Sequence, residues 1–471
     1  MMTPSMRFTI RVALTVALGG CLMGFDASVI SGVVGFIEPE FELTKFELGW
    51  AVASLTLTST MAMMLAGPIS DRFGRRPVLK VAALLFTASA VASAVAPDYI
   101  TLVAARMLGG FGVGAALIIA PMYIAEIAPP AVRGRMVSFN QLNIVIGISA
   151  AYFSNYLILS LGQSDLGWAQ ALRFGDWNWR WMLGVEALPA IFYFFALLFV
   201  PESPRWLVMK GRNEDALGIL EQVSSKAQAE KDLTAVRESL QAEAHQEKGT
   251  FRELFQPAMK LVLTIGISVA ILQQITGINS VFFYAPMIFE QSGIGTDAAF
   301  MQAVMVGIVN LVFTVTAILL IDKLGRRPLL IAGLAIISFC MLLLAWAFSA
   351  ASYTPGGELV GVNPVIILIG ILGFVAGFAI SLGPVMWVLF SELFPNRIRG
   401  IAISFVGLIN SSVSFLVQLV FPWELENFGP STTFLIYGIF AVIGLVFVFR
   451  TLPETKGRSL EELEAELVSG K

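Results

Sequence analysis

The stretch that decides the fold is Asp71-Arg-Phe-Gly-Arg-Arg-Pro77. It recurs later in the chain as Asp322-Lys-Leu-Gly-Arg-Arg-Pro328, with Asp, Gly, Arg-Arg and Pro at the same spacing. In each place one apolar run precedes the motif and another follows it. A short cationic loop between two long apolar runs is typical of helices that cross a membrane and are joined on its cytoplasmic side. The motif therefore predicts one such helical hairpin in each half of the chain.

Two further patterns repeat in the same order, which indicates that the halves are copies of each other. Glu126 with Arg133-Gly134 returns as Glu392 with Arg399-Gly400, and Pro201-Glu202 returns as Pro453-Glu454. Parallel repeats of six helices are an architecture of secondary transporters, which hold their substrate near the membrane midplane between the halves.

The composition excludes most other classes of protein. Of 471 residues, 57% are hydrophobic and 13% are charged, whereas about 25% are charged in an ordinary soluble domain. Twelve membrane crossings of about 20 residues need roughly 240 apolar positions, which this composition supplies. The net charge of −3 gives no basic excess for binding nucleic acid. Cys21 and Cys340 lie inside apolar runs, so the sequence predicts no disulfide framework.

Apolar stretches of membrane-spanning length predict an all-α membrane protein of twelve helices. They start near Phe8, Phe46, Val78, Ile100, Met136, Met182, Met259, Ala299, Leu329, Val365, Ala402 and Phe434. We expect an N-terminal six-helix half at 1–201, a linker at 202–257, a C-terminal half at 258–452 and a tail at 453–471. In the linker, Asn213 is predicted to cap a short amphipathic helix with Ala216, Ile219, Leu220 and Val223 on one face.

The placement of basic residues predicts the orientation. Of the 30 Lys and Arg residues, Lys45, Arg173 and Arg180 fall in loops on one side and Arg106 falls within a span. The others share the opposite side with both termini. By the positive-inside rule, the termini and the linker are cytoplasmic.

Three charged residues lie within predicted spans, namely Asp26, Arg106 and Glu186. A charge at the bilayer centre costs at least about 2.5–3.5 kcal/mol, so such residues are candidates for function. Counting 1.5 Å per residue from the span ends, all three fall in the outer half of the membrane and can meet. The alternative is a static ion pair that fixes helix packing.

Four motifs resemble those of the major facilitator superfamily and, within it, the sugar porter family. Gly67-Pro-Ile-Ser-Asp-Arg-Phe-Gly-Arg-Arg76 resembles the superfamily's loop motif between helices two and three. Pro201-Glu-Ser-Pro-Arg205 and Pro453-Glu-Thr-Lys-Gly457 resemble sugar porter signatures after helices six and twelve. Gln273-Gln-Ile-Thr-Gly-Ile-Asn279 resembles the family's sugar-binding stretch. The likeness covers nearly the whole chain and is strongest to bacterial, proton-coupled xylose and glucose transporters.

The resemblance implies a transporter of monosaccharides that works by alternating access in the bilayer. It implies that Asp26 carries the co-transported proton, that Arg106 tunes this group and that Glu186 is a further partner. Polar side chains suited to sugar hydroxyls lie within the spans. The resemblance implies that six of them contact sugar, with Tyr284, which keeps one hydroxyl of a family Tyr pair, and Asn310, held more loosely, as further candidates. The full set is Gln141, Gln273, Gln274, Asn279, Tyr284, Asn310, Trp387 and Asn410. The alternative for each amide is a hydrogen bond between helices.

Two of these amides do not fit one pocket on a regular helix. At about 100° per residue, Asn279 points about 140° away from Gln274. We therefore expect the helix to open at Gly277, as broken helices of transporters do where they line a cavity. Phe283, Ser411 and Met23 stand where relatives often carry aromatic residues. These departures thin the aromatic wall and leave the identity of the sugar open.

Charged residues at the cytoplasmic ends of the helices repeat in both halves and suggest a clasp. We expect them to hold the outward-facing state and to separate when the protein opens inward. The simpler alternative is that the arginines only fix the orientation of the protein in the membrane. The set is Asp71, Arg75, Glu126, Arg133, Glu202 and Arg205 in the first half and Asp322, Arg326, Glu392, Arg399 and Glu454 in the second.

Other functions remain open at this point. The first is a facilitator that equilibrates sugar without coupling, which Asp26 argues against, and its substrate can equally be a polyol. The second is a sugar sensor that does not transport. An enzyme is not expected, because no catalytic triad, metal-spaced His/Cys set or phosphate-binding Gly loop is found. We expect no cofactor or metal and no nucleic-acid partner, and we expect a monomer in the inner membrane of a bacterium.

Overall fold

A computed structural model of the chain describes residues 4–129, 132–245, 250–350, 352–353, 359–395 and 397–456. Within these residues the protein is almost wholly helical. The α-helices are α1 Pro4–Val29, α2 Val34–Glu40, α3 Lys45–Phe73, α4 Arg75–Ala94, α5 Tyr99–Ile127, α6 Arg133–Gly162, α7 Gly167–Ala171, α8 Asn178–Gly184, α9 Ala187–Leu197, α10 Pro204–Met209, α11 Asn213–Val223, α12 Lys226–His245, α13 Lys260–Ile275, α14 Ile278–Glu290, α15 Thr296–Leu324, α16 Arg326–Ser349, α17 Pro364–Ile380, α18 Leu382–Leu393, α19 Arg399–Asn427 and α20 Gly429–Thr451. Short 3₁₀ helices cover Ile30–Gly32, Phe251–Phe255 and Pro257–Met259, and β1 Ser352–Tyr353 pairs antiparallel with β2 Leu359–Val360.

The prediction of twelve spans is confirmed among the described residues. They are Ser5–Gly32, Lys45–Phe73, Arg75–Ala94, Tyr99–Ile127, Phe139–Gly162, Asn178–Leu197, Pro257–Glu290, Thr296–Leu324, Arg326–Ser349, Pro364–Leu393, Arg399–Asn427 and Gly429–Thr451. An even number of spans returns the chain to the side on which it starts. We call this the inner side, and the opposite side the outer side.

Three spans are broken rather than continuous. The sixth changes from α8 to α9 at Val185 and Glu186. The seventh is interrupted at Gly277, which has φ +91°, and the tenth at Ser381, which has φ −128° and ψ −94°. The predicted break at Gly277 is thus confirmed, whereas the sequence patterns did not predict the other two breaks.

The linker helix forms where the pattern predicts, but its cap differs. Helix α11 spans Asn213–Val223 and buries Ala216, Leu220 and Val223. Its N-cap residue is Arg212 rather than the predicted Asn213. The Asn213 side-chain oxygen has no hydrogen-bond partner among the described residues. The capping prediction was wrong because the helix begins one residue earlier than the cap rule requires.

The chain divides into two compact units. The first comprises Met1–Ala27, Leu57–Ala151 and Arg180–Glu247, and the second comprises Ser28–Thr56, Tyr152–Trp179 and Lys248–Lys471. The second unit therefore contains the outer ends of α1, α3 and α6 together with the spans from α13 onward.

In the first unit, glycines bring helix backbones into direct contact. A Cβ added at Gly24 in α1 would lie 2.0 Å from the carbonyl oxygen of Ile144 in α6. A Cβ added at Gly147 would lie 2.0 Å from the carbonyl oxygen of Cys21. Small residues at helix contacts are how membrane helices pack closely, because lipid gives little hydrophobic drive for association. Helices α1 and α6 are therefore held by a reciprocal pair of glycines.

In the second unit, the outer ends of α3 and α6 pack on α14, α15 and α19. A Cβ added at Gly49 in α3 would lie 2.0 Å from the carbonyl oxygen of Leu419. The rings of Trp50 and Phe415 meet edge to face at 5.8 Å. At the end of α6, the Gln163 amide donates to Asp297 at 2.7 Å. These contacts join the outer side of this unit.

Substitution of Gly147 by Ala should destabilise the protein. The new methyl group forces α1 and α6 apart, and overpacking of this kind costs about 1–3 kcal/mol. The matched control is Gly218→Ala in α11, where an added Cβ meets nothing within 4 Å. It should be neutral or stabilise the helix by up to about 1 kcal/mol. Thermal unfolding in detergent measures both, and equal melting temperatures would contradict the packing argument.

Candidate functional site

The three charged residues predicted within spans lie in the first unit, and all three are buried. Asp26, Arg106 and Glu186 are each 2% exposed. The Arg106 Nη1 lies 3.4 Å from Asp26 Oδ1, and Nη2 donates to the Asp26 backbone carbonyl at 3.5 Å. Glu186 lies close enough to interact electrostatically with both of the other groups. The predicted meeting of these residues is therefore observed, while their role stays a prediction.

The hydrogen-bonding capacity of these three side chains is only partly used. Asp26 Oδ2, Arg106 Nε and Glu186 Oε1 are buried and have no hydrogen-bond partner among the described residues. Buried polar atoms are rarely left in this state, because each costs free energy unless it is hydrogen-bonded. These unsatisfied atoms make the group a candidate functional site.

Helix breaks and glycine shape this site. Glu186 lies at the junction of α8 and α9, with φ −61° and ψ −26° and no side-chain capping hydrogen bond. A Cβ added at Gly109 in α5 would lie 2.6 Å from Asp26 Oδ2 and 2.5 Å from the Ser89 hydroxyl. The absence of a side chain at Gly109 thus makes the space that the Asp26 carboxylate occupies.

In the second unit, the predicted amides form one hydrogen-bonded chain. Asn410 donates to Gln273 Oε1 at 2.7 Å and to the Ala270 carbonyl at 2.9 Å. Gln274 donates to Gln273 Oε1 at 3.1 Å and to Asn410 Oδ1 at 3.3 Å. Gln273 in turn donates to the Leu382 carbonyl, in the first turn of α18, at 3.0 Å.

The break at Gly277 brings Asn279 into this chain. Asn279 Nδ2 donates to Gln274 Oε1 at 2.8 Å and to the Ser414 hydroxyl at 2.6 Å. On a straight helix these two amides would point apart. The left-handed backbone at Gly277, with φ +91°, turns α14 so that they meet. A Cβ at Gly277 would lie 2.5 Å from the Tyr437 ring, so both conformation and space require glycine.

The chain of hydrogen bonds continues toward the outer side through residues that the sequence motifs did not single out. Gln418 donates to Ser414 at 2.8 Å, and Thr56 in α3 donates to Gln418 Oε1 at 2.9 Å. Asn410, Ser414 and Gln418 follow one another at intervals of four on α19. That helical spacing was the signal that would have found them.

The other residues predicted to contact sugar lie in different places and differ in exposure. Tyr284 is buried and its hydroxyl donates to the Gln418 carbonyl at 2.9 Å. Trp387 is 46% exposed and meets Phe390 edge to face. Asn310 is buried in α15. In the first unit, Gln141 lies exposed on α6.

The predicted inner charges of the first half form a closed cluster within the first unit. Arg75 binds both oxygens of Glu126, at 3.0 and 2.9 Å, and Asp71 at 2.7 Å. Ser203 donates to Glu126 at 2.5 Å. Glu202 accepts the backbone N–H groups of Arg75, at 3.0 Å, and of Arg76. Burial raises the pKa of Glu202, and the backbone donors around it act in the opposite direction.

The second half repeats this cluster within the second unit. Arg326 binds both oxygens of Glu392, at 3.2 and 2.8 Å, and lies 3.3 Å from Asp322. Thr455 takes the place of Ser203 and donates to Glu392 at 2.6 Å. Glu454 accepts the backbone N–H groups of Arg326 and Arg327 at 3.0 and 3.1 Å.

Two arginines of the predicted network contact other groups. Arg205 Nη1 contacts Ser239 of the linker at 3.4 Å. Arg399 Nε donates to the Phe394 carbonyl at 3.2 Å. The side chain of Arg133 lies outside the part of the chain that is described.

Comparison with known proteins agrees with this architecture. Residues 12–467 match the family described as sugar (and other) transporter. The arabinose-proton symporter of Bacillus subtilis is 38% identical over 460 residues, covering 98% of this chain and 95% of the relative. The D-xylose-proton symporter of Escherichia coli K12 is 38% identical over 490 residues, covering 97% and 95%.

Solved structures agree as well. The partially occluded inward-open conformation of the xylose transporter XylE from E. coli has a TM-score of 0.81 at 35% identity, covering 96% of this chain and 100% of that one. The proton:xylose symporter XylE bound to 6-bromo-6-deoxy-D-glucose has a TM-score of 0.75 at 37% identity, covering 98% and 99%. The chain therefore belongs to the sugar transporter family, within the major facilitator superfamily, and is an integral membrane protein.

Substitution of Gly277 by Ala should break the link between α13 and α14. The left-handed backbone costs an L-residue about 1–2 kcal/mol, and the methyl group also overlaps the Tyr437 ring. We expect a lower melting temperature and faster hydrogen exchange over residues 278–284.

The matched control is Gly211→Ala. Gly211 also has positive φ, at +77°, but an added Cβ there meets nothing within 4 Å. This control measures the cost of the backbone conformation alone. Equal losses of melting temperature in the two variants would show that the fit of Gly277 against Tyr437 contributes nothing to stability.

Proposed function

We propose that the protein imports a monosaccharide together with protons, by alternating access. The observation that carries the proposal is the buried group of Asp26, Glu186 and Arg106. The printed names of the relatives, arabinose-proton and D-xylose-proton symporter, support the same function. The substrate class is a pentose or hexose.

The charges of this group supply a reason for proton coupling. Two carboxylates face one guanidinium in a site shielded from water. An excess negative charge is expensive in such a medium, so one bound proton brings the site to neutrality. Asp26, whose Oδ2 has no hydrogen-bond partner among the described residues, is the proposed carrier. Arg106 holds the carboxylate ionised when the proton leaves, and Glu186 is the second acid of the group.

The amide chain supplies the chemistry for a sugar. Sugar hydroxyls donate and accept at once, and so does each amide. In the absence of sugar, Gln273, Gln274, Asn279 and Asn410 satisfy one another. Bound hydroxyls replace these mutual bonds one for one, so binding leaves no buried polar group unpaired. Gln141, Asn310, Trp387 and Tyr284 are proposed to complete the site.

The repeated inner clusters are proposed to act as the clasp of the outward-facing state. Each acid within them already has an arginine of its own half, so each half moves as a rigid body. Contacts such as Gly49 against Leu419 and Thr56 with Gln418 are proposed to hold the outer side in the opposite state. We propose a monomer in the inner membrane of a bacterium with both termini in the cytoplasm, as the Lys and Arg placement and the bacterial relatives support.

Substitution of Asp26 by Asn should uncouple transport. The asparagine side chain cannot carry a proton but keeps the size of the aspartate that it replaces. In proteoliposomes with an inward proton gradient, we expect the variant to lose accumulation of labelled xylose or arabinose while retaining exchange of labelled for unlabelled sugar. The matched control, Asp165→Asn in an exposed loop, should accumulate sugar as the wild type does.

The alternatives give different results in the same experiment. Uptake by the wild type that only equilibrates would make the protein a facilitator and Asp26 a packing residue. Uptake of polyols but no sugar would change the substrate class. Binding without transport would favour the sensor. Accumulation retained in Asp26→Asn would overturn the role of that residue.

Substitution of Glu392 by Gln should shift the protein away from the outward-facing state. The change removes the charge that Arg326 holds at 2.8 Å and weakens the cluster on which the clasp depends. Spin labels on cysteines introduced by Lys210→Cys and Lys323→Cys report the distance between the inner ends of the two halves. Pulsed electron paramagnetic resonance measures this distance. We expect the long-distance population to grow several-fold, with no change in the exposed control Glu221→Gln. An unchanged distribution would remove Glu392 from the clasp.

A further inference from the structure

A cavity of about 350 Å³ lies at the outer side of the second unit, apart from the amide chain. It is formed where the outer end of the first span meets the end of α14 and the start of α15. Ser31 and Phe36 contribute from the first span and the helix after it, Pro286 and Glu290 from α14, and Thr296 from α15. Small-molecule sites have volumes of about 300–1,000 Å³, so this cavity suits a ligand at the small end of that range.

The walls combine hydroxyl, carboxylate and aromatic groups. Ser31 is 1% exposed, and its hydroxyl has no hydrogen-bond partner among the described residues. Glu290 is half-buried and is hydrogen-bonded by the Thr296 side chain. The rings of Phe36 and Phe300 lie 6.3 Å apart at one side of the cavity. A carboxylate accepts strong hydrogen bonds from hydroxyl groups, and a serine hydroxyl both donates and accepts hydrogen bonds. An aromatic ring can cover the apolar face of a ligand.

This set matches a neutral polyhydroxylated molecule better than an ion or an apolar ligand. A bare cation is disfavoured, because Glu290 is the one acid among the described lining residues and it already accepts a hydrogen bond from Thr296. An anion would meet the Glu290 carboxylate. An apolar ligand would cover the Ser31 hydroxyl and the part of the Glu290 carboxylate that Thr296 does not satisfy, and it would offer neither group a hydrogen bond.

We propose that this cavity is a second, outer binding site for a monosaccharide or polyol. The inference rests on the proposed function for its ligand class, but it concerns a different site. Its walls come from the first span and the helix after it on one side and from α14 and α15 on the other. The ligand therefore binds only while these elements are in contact and stabilises that contact. High external sugar then holds the outer side together and slows uptake.

Gly35 offers a way to fill the cavity. It lines the cavity, is exposed at its rim, and an added Cβ meets nothing within 4 Å. Gly35→Leu therefore occupies the space without straining the fold, which an unchanged melting temperature verifies. Glu290→Gln removes the carboxylate while keeping the shape of the side chain.

The test counts binding sites for labelled D-xylose and D-glucose on the purified full chain by equilibrium dialysis. We expect two sites per chain in the wild type for at least one of these sugars. Gly35→Leu and Glu290→Gln should each weaken one site by at least ten-fold. Gln274→Ala, in the amide chain, should remove the other site and leave the outer one.

Each other outcome overturns the inference in an identifiable way. A single wild-type site that Gln274→Ala removes and Gly35→Leu leaves intact overturns the outer site and keeps the proposed function. Binding of neither sugar, followed by no uptake in proteoliposomes, overturns the proposed function itself. A second measurement is the uptake rate at rising external sugar. Inhibition at high concentration in the wild type, relieved in Gly35→Leu, supports the outer site, and identical curves count against it.

Discussion

The central constraint on this molecule is a buried group of two carboxylates and one guanidinium. The group is shielded from water inside the helix bundle. Asp26, Glu186 and Arg106 are almost completely buried, and a charge in such a place is tolerated only when it is balanced. Glu186 lies at the junction of α8 and α9, and Gly109 leaves room for the Asp26 carboxylate. The fold thus builds a site whose charge is balanced by adding one proton. The proposed coupling rests on this imbalance, because the energy of the site changes when a proton binds or leaves.

The inner clusters explain why the glycine and the arginines of the motif recur in both halves. Gly74 and Gly325 have φ +107° and +95°, a conformation that L side chains rarely adopt. At each glycine the space for a Cβ is taken by a carboxylate, from Glu202 and from Glu454. These carboxylates accept the free N–H groups at the starts of α4 and α16, as capping groups do. The Gly-Arg-Arg-Pro sequence and the Pro-Glu sequence are therefore two parts of one hydrogen-bonded unit, formed once in each half.

Much of this could be predicted because its causes are local or repeated. The twelve spans follow from apolar length, and the break at Gly277 follows from the angle between Gln274 and Asn279. Other features depend on tertiary contacts that no single window of sequence contains. Arg399 lies on the Phe394 carbonyl, although its spacing from Glu392 suggested a shared cluster. Gly184 and Pro189 flank the junction at Glu186, but prolines also lie inside the continuous helices α3 and α5, so these residues did not single the position out. The outer cavity arises only where three separate segments meet.

The most direct test of the central claim measures protons rather than sugar. Proteoliposomes containing the wild-type protein and a pH indicator, with no initial pH gradient, receive an inward gradient of xylose or arabinose, with valinomycin and potassium present to dissipate the membrane potential. If the buried acids couple proton to sugar, the lumen acidifies as sugar enters, in a fixed ratio that we predict to be one proton per sugar. Sugar entry without a change in lumenal pH would contradict coupling and reduce Asp26, Glu186 and Arg106 to a structural element of the fold.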